Sequence, residues 1–246
     1  MNKINQEDCG KRGTYSLFVK RILDFCIAVL GIAVLSPIFV ILIITGAFAM
    51  SGNPFFVQPR PGIIDRRTGR EKIFHLIKFR TMNNKTDSNG KLLPDAERLN
   101  SYGKFLRKTS LDELPQLFNV VCGTYALVGP RPMLVRDMVF MSDEVRQRHT
   151  VSPGITGLAQ VNGRNSISWE EKFKFDLEYI NSGITFLGDL KILSKTLIQV
   201  FKPNDVNREG TASDLDYGDW LLMNGKITED EYQIKQIEAL DILKNK

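Results

Sequence analysis

A long apolar run constrains this chain more than any other feature of its sequence. Residues 25–50 carry no charged side chain, although 25% of the whole chain is charged. The run is longer than the ~20 residues that a helix needs to cross the hydrocarbon core of a bilayer. Insertion into a membrane is therefore the first hypothesis for this segment.

Ser36 and Pro37 lie in the middle of this run. Proline inside a helix removes a backbone hydrogen bond and clashes with the preceding turn, at a cost of about 3 kcal/mol. The carbonyl of Ala33 then needs another partner in lipid. The Ser36 hydroxyl is also able to bend the helix by bonding the carbonyl four residues before it. We expect a marked bend at this pair of residues.

The bend divides the run into two arms, residues 25–35 and 38–50. Each arm would be roughly 17–20 Å long, against a hydrocarbon core of ~30 Å, so neither arm crosses a membrane alone. Basic residues flank the run on both sides: Lys20, Arg21, Arg60, Arg66, Arg67 and Arg70. Because basic flanks favour the cytoplasm, we favour a re-entrant helix-break-helix. A single spanning helix and a cleaved signal peptide are the alternatives.

The composition narrows the classes of partner without choosing among them. The chain has 246 residues, and its 43% hydrophobic content excludes wholesale disorder. A net charge of +5 indicates an anionic partner, either nucleic acid, anionic lipid or a phosphorylated substrate. Three widely spaced cysteines form neither a disulfide framework nor a zinc motif, which indicates a reducing compartment. The chain has two histidines, which disfavours hydrolysis by a Ser-His-Asp triad.

The alternation of side chains in residues 73–82 predicts a β-strand. Its period of two places a mixed apolar and basic set on one face: Phe74, Leu76, Lys78, Arg80 and Met82. The two cations beside apolar residues fit a phosphate site that borders the core. A half-exposed strand with a basic rim is the alternative.

Two adjacent carboxylates, Asp112 and Glu113, stand at a predicted junction between a loop and a helix. Ser110 and Glu113 have the spacing of a capping box. Pro115 either opens the next helix or removes an amide from its first turn. Asp112 lies near a helix N-terminus in both cases, where anions bind readily. This pattern alone leaves open both a structural cap and a catalytic carboxylate pair.

These segments together resemble a known family. The runs RKTSLDELPQLFN at residues 107–119 and LVGPRP at residues 127–132 are similar to those of the bacterial sugar transferases, the monotopic polyprenyl-phosphate phosphoglycosyl transferases in their small catalytic-core form. Members share an apolar Ser-Pro segment, a Lys-Phe-Arg-Thr/Ser-Met strand and an Asp-Glu dyad, and this chain has all three in that order. The resemblance covers residues 15–200.

The resemblance implies a covalent mechanism. Asp112 would attack the β-phosphate of a UDP-sugar, release UMP and hold the sugar phosphate until polyprenyl phosphate accepts it. Mg²⁺ is the implied cofactor, with Asp112 and Glu113 as candidate ligands whose roles the sequence does not divide. The cations implied for binding the phosphates are Lys78, Arg80, Arg107 and Arg131.

The resemblance also implies partners and a location. The partners are a UDP-sugar donor, polyprenyl (undecaprenyl) phosphate and the lipid bilayer, and no nucleic acid is expected. The catalytic domain would face the cytoplasm at the bacterial inner membrane, at the first membrane step of surface glycan assembly. The motifs do not identify the sugar.

A glycine-rich ribbon at residues 152–164 resembles the nucleotide-binding stretch of the family. Gly154 and Gly157 would let the backbone approach the nucleotide closely. Candidates for polar contacts are Gln160, Asn162 and Arg164. A turn-rich connection without a ligand is the alternative.

Two helices are predicted after the ribbon. Asp176, in the helix at residues 169–180, aligns with an acidic position of the family and is interpreted as shaping the sugar or metal site. A solvated helix face is the alternative. The helix at residues 186–202 carries an apolar stripe of Leu190, Leu193, Leu197 and Phe201. Packing on the core is the safer interpretation of that stripe, and docking at the bilayer interface is the alternative.

We therefore predict a helix-rich α+β fold for a monotopic membrane protein, with a globular catalytic domain that contains a small β element. The predicted parts are an amphipathic lead-in (1–24), a re-entrant helix (25–50), a catalytic domain (51–202), and a linker with a C-terminal helical pair (203–246). The pair resembles a short motif found on many bacterial membrane-associated proteins. Its second helix begins with a capping box of Thr228 and Glu231, and we interpret the pair as a site of self-association into a homo-oligomer or of partner docking.

Two rival functions stay open at this point. One is a non-catalytic, membrane-anchored scaffold whose basic surface binds anionic lipid. The other is a phosphohydrolase that uses Asp112. Both would keep the apolar run and the basic residues without transferring a sugar phosphate to a lipid.

Overall fold

Helices dominate this chain, and the predicted helix-rich α+β class is confirmed. The computed structural model describes residues 13–163, 167–201 and 215–245. The α-helices in these residues are α1 (Lys20–Ala49), α2 (Asp95–Arg98), α3 (Ser101–Thr109), α4 (Gln116–Cys122), α5 (Val135–Met138), α6 (Asp143–Arg146), α7 (Leu158–Val161), α8 (Trp169–Asn181), α9 (Phe186–Phe201), α10 (Tyr217–Met223) and α11 (Glu229–Lys244). The strands are β1 (Phe55–Asp65), β2 (Arg70–Phe79), β3 (Ala126–Val128) and β4 (Gly154–Thr156). The predictions for Arg164 and for the linker that begins at Pro203 concern residues outside the described ranges.

Helix α1 runs without interruption through Ser36 and Pro37. The predicted break between two helices is therefore not observed. A physical reason is visible at Ser36, whose hydroxyl donates to the Ala33 carbonyl at 2.8 Å. This bond replaces the amide donor that Pro37 lacks. The re-entrant course through a membrane stays a prediction.

One face of α1 packs against the rest of the described chain. The buried residues of the helix are Lys20, Asp24, Ala28, Phe39, Leu42 and Gly46. At about 100° per residue, all six fall within an arc of roughly 100°. Large apolar side chains elsewhere on the helix are exposed, among them Phe25, Leu30, Val34, Ile41 and Phe48. Among the described residues, α1 is also the one helix that is long and apolar enough to cross a membrane.

Both ends of α1 contact the globular part of the chain. The Nζ of Lys20 lies 2.7 Å from Asp189 Oδ2 in α9. At the other end, Asn100 Nδ2 donates to the Ala49 carbonyl at 2.9 Å. Between these ends, Phe39 packs edge-on against Phe118 of α4 with ring centroids 5.5 Å apart. The helix therefore packs on the globular part at both ends and at a point between them.

The basic residues in the first turn of α1, Lys20 and Arg21, are used inside the fold. Lys20 is buried, and Arg21 donates to the carbonyls of Val120 and Val121 at 2.5 and 2.9 Å, where α4 ends. Cations at a helix C-terminus are stabilising because they satisfy free carbonyls. The basic residues with exposed side chains on the other flank are Arg66, Arg67 and Arg70. The charges on the N-terminal flank thus have a structural role besides any effect on membrane orientation.

Strand β1 corrects an expectation from the sequence. Residues 58–62 contain two prolines and a glycine, which are typical of turns, yet β1 pairs antiparallel with β2 from Phe55↔Phe79 to Asp65↔Arg70. Prolines are tolerated there because a two-stranded sheet consists of edge strands. The pairing shifts register between Pro61 and Ile64, which accommodates the ring that cannot donate a hydrogen bond.

The side chains of β2 pack on both faces of its sheet. Phe74 and Leu76 join a core cluster with Val120 of α4 and Leu127 of β3. On the other face, Phe79 packs in a second cluster that also contains Phe39 and Leu42 of α1 and Leu106 of α3. A strand buried on both sides has little freedom to shift, and it carries Lys78 between these two clusters.

Helices α2 and α3 are separate because Asn100 is extended and its side chain caps α3 through the amide of Gly103. Two helix predictions have different outcomes. In α9 the expected inward stripe is wrong for Leu190 and Leu197, which are exposed, whereas Ile192 is buried. The side chain of Phe201 lies outside the described part. The capping box of Thr228 and Glu231 at α11 is confirmed.

Candidate active site

The Asp112–Glu113 pair lies in a 3₁₀ turn, Leu111–Glu113, between α3 and α4. Helix α3 ends at Ser110, whose backbone is left-handed with φ 56° and ψ 18°. An N-cap residue ordinarily has extended backbone, so Ser110 does not form the predicted capping box, and its side chain caps nothing. The Glu113 side chain is thereby free to point away from the turn. Pro115 precedes α4 directly, as one of the two predicted alternatives required.

Glu113 binds two cations from distant parts of the chain. Lys78 Nζ of β2 lies 3.0 Å from Glu113 Oε1, and Arg131 Nη2 lies 2.9 Å from the same oxygen. Burial would raise the pKa of Glu113, but Arg131 and Lys78 outweigh burial and hold that pKa well below its usual range. Glu113 is therefore ionised at any physiological pH, and its Oε2 stays outside these two ion pairs.

The pKa of Asp112 moves in the opposite direction. Burial, followed by the negative charge of Glu113, raises the pKa of Asp112 to about 6. Lys78, Arg131 and Arg107 partly oppose that rise with their positive charges. A carboxylate with this pKa is ionised near neutral pH yet incompletely neutralised by its neighbours, which suits a nucleophile.

The four predicted phosphate-binding cations do not all converge on the dyad. Lys78 and Arg131 contact Glu113. Arg107 lies near enough to Asp112 to lower its pKa, and its Nε donates to Thr81 Oγ1 at 3.1 Å. The guanidinium of Arg80 instead donates to the Phe55 carbonyl of β1, at 3.4 Å from Nε and 3.2 Å from Nη2.

The turn that carries Arg131 is held by two arginines, Arg60 and Arg148, for which no role in a site was predicted. Arg148 Nη2 donates to the Arg131 carbonyl at 2.7 Å. Arg60 Nη1 donates to the next carbonyl, that of Pro132, at 3.2 Å. Two consecutive carbonyls are thus fixed by cationic donors, and hydrogen bonds from charged groups are stronger than neutral ones. The backbone at Arg131 is therefore firmly placed relative to Glu113.

Asp176 does not reach the dyad. It is 2% exposed and its Oδ2 accepts from Arg148 Nε at 3.0 Å. Burial raises the pKa of Asp176, and Arg148 opposes that rise. The contact places Asp176 behind Arg148, which in turn holds the backbone of Arg131. Its predicted role in a sugar or metal site stays a prediction, and the alternative of a solvated helix face is wrong.

The glycine-rich ribbon packs against the same turn. A Cβ on Gly154 would lie 2.1 Å from the Gly129 nitrogen, and one on Gly157 would lie 2.3 Å from the Gly129 oxygen. Glycine is required at both positions because β4 approaches the end of β3 backbone to backbone. Gln160 Nε2 donates to the Ile155 carbonyl at 2.9 Å. Nucleotide binding by these three residues stays a prediction.

Asn119 is a positioning residue that the sequence did not single out. Its Oδ1 accepts from the Ile77 amide at 3.0 Å, and its Nδ2 donates to the His75 carbonyl at 2.7 Å. The side chain thus continues the hydrogen-bond ladder of β2 and fixes α4 against that strand. No sequence signal distinguished it from other amides. Because the dyad directly precedes α4 and Lys78 belongs to β2, this contact between α4 and β2 fixes the distance between the dyad and Lys78.

Comparison with known proteins gives concordant matches. Residues 15–203 match the model of a family described as bacterial sugar transferase. The chain is 44% identical over 184 residues to an uncharacterized sugar transferase, EpsL, of Bacillus subtilis, across 75% of this chain and 88% of the relative. It is 35% identical to the UDP-glucose:undecaprenyl-phosphate glucose-1-phosphate transferase of Xanthomonas campestris, across 77% of this chain and 40% of the relative. It is 33% identical to the undecaprenyl-phosphate galactose phosphotransferase of Salmonella typhimurium, across 78% and 42%. The chain thus spans less than half the length of the last two.

Proposed function

Since this chain belongs to the bacterial sugar transferase family, we propose that it transfers a sugar 1-phosphate from a UDP-sugar to polyprenyl phosphate and releases UMP. The names of the Xanthomonas and Salmonella relatives support undecaprenyl phosphate as the acceptor. The product, a sugar linked to the lipid by a diphosphate, would begin the assembly of a surface glycan. The sugar itself is left open.

One observation carries the proposal. Asp112 is partly buried with a pKa raised to about 6, and cations from three separate segments surround it and its neighbour Glu113. An anionic nucleophile that approaches a diphosphate is repelled by about 4 kcal/mol per pair of unit charges at 4 Å and an effective dielectric of 20. Lys78, Arg107 and Arg131 are the groups that offset this repulsion.

The reaction has two balanced steps. An Asp112 carboxylate oxygen attacks the β-phosphorus of the donor, a phosphorus–oxygen bond to the α-phosphate breaks, and UMP leaves with the bonding electron pair. A phosphate oxygen of polyprenyl phosphate then attacks the same phosphorus, and the bond to Asp112 breaks. The carboxylate is regenerated, and splitting one transfer into two is the general advantage of covalent catalysis.

The residues present fit a magnesium ion that is shared with the substrate. Mg²⁺ binds proteins through one or two carboxylates and completes its shell with phosphate oxygens and water. Among the described residues no group of three or more His, Cys, Asp or Glu side chains could hold a metal, whereas the dyad offers two carboxylates beside the phosphate-binding cations. Asp112 and Glu113 would hold the ion, which would supply neutralisation of the diphosphate charge.

We propose a monotopic arrangement with the catalytic domain at the cytoplasmic face of the inner membrane, and the position of α1 supports the monotopic part of this arrangement. Both ends of the helix contact the globular part, as Lys20 and Ala49 show. A helix that crossed the bilayer would carry one of its ends away from a domain on one side. The exposed apolar side chains of α1 and α9 would face lipid. A lipid phosphate at headgroup level would then lie near the dyad.

The stoichiometry of UMP release tests the covalent mechanism. Without acceptor, the wild-type protein should release about one equivalent of UMP per enzyme and gain the mass of one sugar phosphate. With polyprenyl phosphate added, release should continue and the adduct should disappear. Continuous release without acceptor would instead indicate a phosphohydrolase, and no release with any of a panel of UDP-sugars would favour a scaffold.

A matched pair of variants tests the nucleophile. Asp112→Asn keeps the size of the side chain but removes its nucleophilic charge, so both adduct and transfer should be lost while the protein still sediments with membranes. Asp143→Asn is the control, because Asp143 is an exposed carboxylate outside the dyad. Retained transfer in Asp112→Asn would exclude Asp112 as the nucleophile.

A further inference from the structure

The C-terminal helical pair, α10 and α11, lies beyond the residues that match the family. It is nevertheless packed against the globular part in two places. One contact is with α5, the first helix after the Arg131 turn, and the other is with α8, the helix that carries Asp176. A tail that was loosely attached would not make these two contacts.

The contact with α5 is close and specific. The amide of Gly218 in α10 donates to Asp137 Oδ1 at 3.1 Å, and Asp137 is 3% exposed. A Cβ on Gly218 would lie 2.6 Å from Phe140 Cε2, so α10 meets that ring directly. On the other helix of the pair, Tyr232 stacks on Phe140 with ring centroids 5.7 Å apart. The two helices of the pair therefore contact Asp137 of α5 and Phe140, which lies just after α5.

Charged groups complete this contact. Arg136 forms an ion pair with Asp216 and lies 3.8 Å from Asp219. The hydroxyl of Tyr232 donates to Asp219 Oδ1 at 2.5 Å, which joins α11 to α10. The two helices are thus fixed to each other and to α5 by the same set of carboxylates.

The contact with α8 is aromatic. Tyr217 packs edge-on against Phe173 with ring centroids 5.0 Å apart, and it lies 5.6 Å from Trp169. This cluster also contains Met133, which is 7% exposed and follows Arg131 by two residues in the chain. Edge-to-face pairs of this kind add to the effect of area burial alone.

Both contacts lie directly behind the groups that hold Arg131. Asp137 attracts the guanidinium of Arg60, which donates to the Pro132 carbonyl. The Arg148 guanidinium lies 5.7 Å from the centre of the Phe173 ring and donates to the Arg131 carbonyl. The helical pair therefore supports the two donors that fix the Arg131 backbone, one through α5 and one through α8.

We propose that the C-terminal helical pair is a positioning element of the donor site: docked through Tyr217 and Gly218, it fixes the Arg131 turn and so maintains the affinity for the donor diphosphate. The proposal rests on the proposed function for its kinetic consequence. Its structural consequence does not, because the order of the Arg131 turn can be measured without any substrate.

Three variants of the full-length protein test the proposal. Tyr217→Ala removes the ring from the Met133 and Phe173 cluster, whereas Tyr217→Phe keeps the ring and should behave as wild type. Gly218→Ala introduces a Cβ against Phe140 while alanine favours the helical state of α10 itself, so any loss arises from docking. Ile237→Ala is the control, because Ile237 is an exposed residue of α11.

Hydrogen exchange followed by mass spectrometry provides the readout that needs no activity. Peptides that cover residues 126–134 should exchange faster in Tyr217→Ala and Gly218→Ala, and at the wild-type rate in Tyr217→Phe and Ile237→Ala. Unchanged exchange in both disrupting variants would overturn the proposal, whether or not the protein transfers a sugar.

Kinetics distinguish positioning from a general loss of folded protein. If the backbone at Arg131 is held less firmly, KM for the UDP-sugar should rise roughly fivefold or more. A fall in kcat alone, with KM unchanged, would overturn the proposal. Faster exchange in a protein whose wild type never releases UMP would refute the proposed function and leave the positioning intact.

Discussion

Asp112 and Glu113 are adjacent in the chain, yet their environments drive their pKa values apart. Two cations bind Oε1 of Glu113 directly and keep it ionised. Asp112 is partly buried and lies beside this permanent negative charge, and both effects raise its pKa to about 6. When neighbouring carboxyl groups are separated in this way, they take different chemical roles. In the proposed mechanism, Asp112 would be the group that reacts, and Glu113 would organise the cations and a metal ion.

The pH dependence of adduct formation should report Asp112. We expect the rate of UMP release without acceptor to rise with pH through an apparent pKa near 6, because only the ionised carboxylate attacks. Arg107→Gln should move this limb to higher pH, since the positive charge of Arg107 lowers the pKa of Asp112. The measurement is the initial rate of release between pH 4.5 and 8.

Lys108→Gln is the matched control for this experiment. Lys108 carries the same charge at the next position but has an exposed side chain, where solvent screens its field. The acid limb of Lys108→Gln should coincide with that of wild type. If the acid limb of Arg107→Gln also coincided with that of wild type, the limb could not be assigned to Asp112.

The same shift predicts a stability cost at Asp112. A carboxyl group whose pKa rises on folding, here from 3.8 to about 6, contributes stability that is fully present below pH 3.8 and is lost as pH rises through about 6. Asp112→Asn avoids this loss, so it should unfold at a higher temperature than wild type at pH 7.5 and at a similar temperature at pH 3.5. Thermal unfolding in detergent measures both. A lower Tm for Asp112→Asn at pH 7.5 would contradict the direction of the shift.

The individual residues that sequence patterns could predict are those with local signals. Asp112, Glu113 and Lys78 were identified because they lie in short motifs, and the structure brings these three together. The capping box failed because Ser110 is left-handed, a conformation that the spacing of Ser and Glu does not encode. Arg60 and Arg148 could not be identified, because each acts on a carbonyl that is distant in the chain.

Among the elements, β2 is fixed at several points along its length. Asn119 binds its backbone at His75 and Ile77, and Glu71 near its start forms a buried cluster with Arg146 and His149. In that cluster, Arg146 Nε and Nη2 each lie 2.9 Å from a carboxylate oxygen of Glu71, and His149 Nδ1 lies 3.0 Å from Oε1. Such fixation sets the position of Lys78 near the other end of the strand.

Removing the Glu71 charge should destabilise the fold strongly. Glu71→Gln leaves Arg146, which is 1% exposed, without its buried counter-charge and with only the more exposed Asp143 at 3.4 Å, and breaking a buried pair from one side costs about 3–5 kcal/mol. Denaturant unfolding followed by tryptophan fluorescence measures the loss. Glu170→Gln breaks an exposed ion pair with Lys226 and should cost less than about 1 kcal/mol. Equal losses of unfolding free energy in the two variants would mean that the buried ion pair of Glu71 stabilises the fold no more than an exposed pair does.

The contribution of Glu71 should also depend on pH. Burial would raise its pKa, but His149 and Arg146 lower the pKa of Glu71 to about 2. A carboxylate whose pKa falls on folding contributes stability that is present above pH 4.5 and is lost as pH falls through about 2. The difference in Tm between wild type and Glu71→Gln should therefore shrink between pH 4.5 and pH 2. A difference that stays constant over this range would show that the charge is not what stabilises.

The elements differ in how far the sequence could predict them. Helices α8 and α11 were predicted because apolar spacing and capping residues are local signals. Strand β1 was missed because its prolines resemble turn signals, and only the pairing with β2 makes it a strand. In the apolar stripe of α9, Leu193 packs against the core as expected, whereas Leu190 and Leu197 are exposed, because periodicity locates an apolar face without saying what covers it.

At the scale of the whole molecule, α1 connects the membrane hypothesis to the site. Its packed face contributes Phe39 and Leu42 to the cluster that contains Leu106 of α3, and α3 ends where the dyad turn begins. The face that packs on protein and the faces that expose apolar side chains belong to one helix. Anchoring in lipid would therefore also position the dyad turn relative to the bilayer surface.

The side of the membrane reached by each end of α1 is the remaining measurable consequence. In a protein whose three cysteines are replaced by serine, Thr14→Cys and Thr68→Cys place single thiols at exposed positions before and after α1. Because Lys20 and Ala49 contact the same globular part, we expect both thiols on the same side. An impermeant maleimide should label both in inverted vesicles and neither in intact spheroplasts, with detergent-permeabilised cells as the control for reactivity. Labelling of the two thiols from opposite sides would mean that α1 spans the bilayer, and the monotopic arrangement would have to be abandoned.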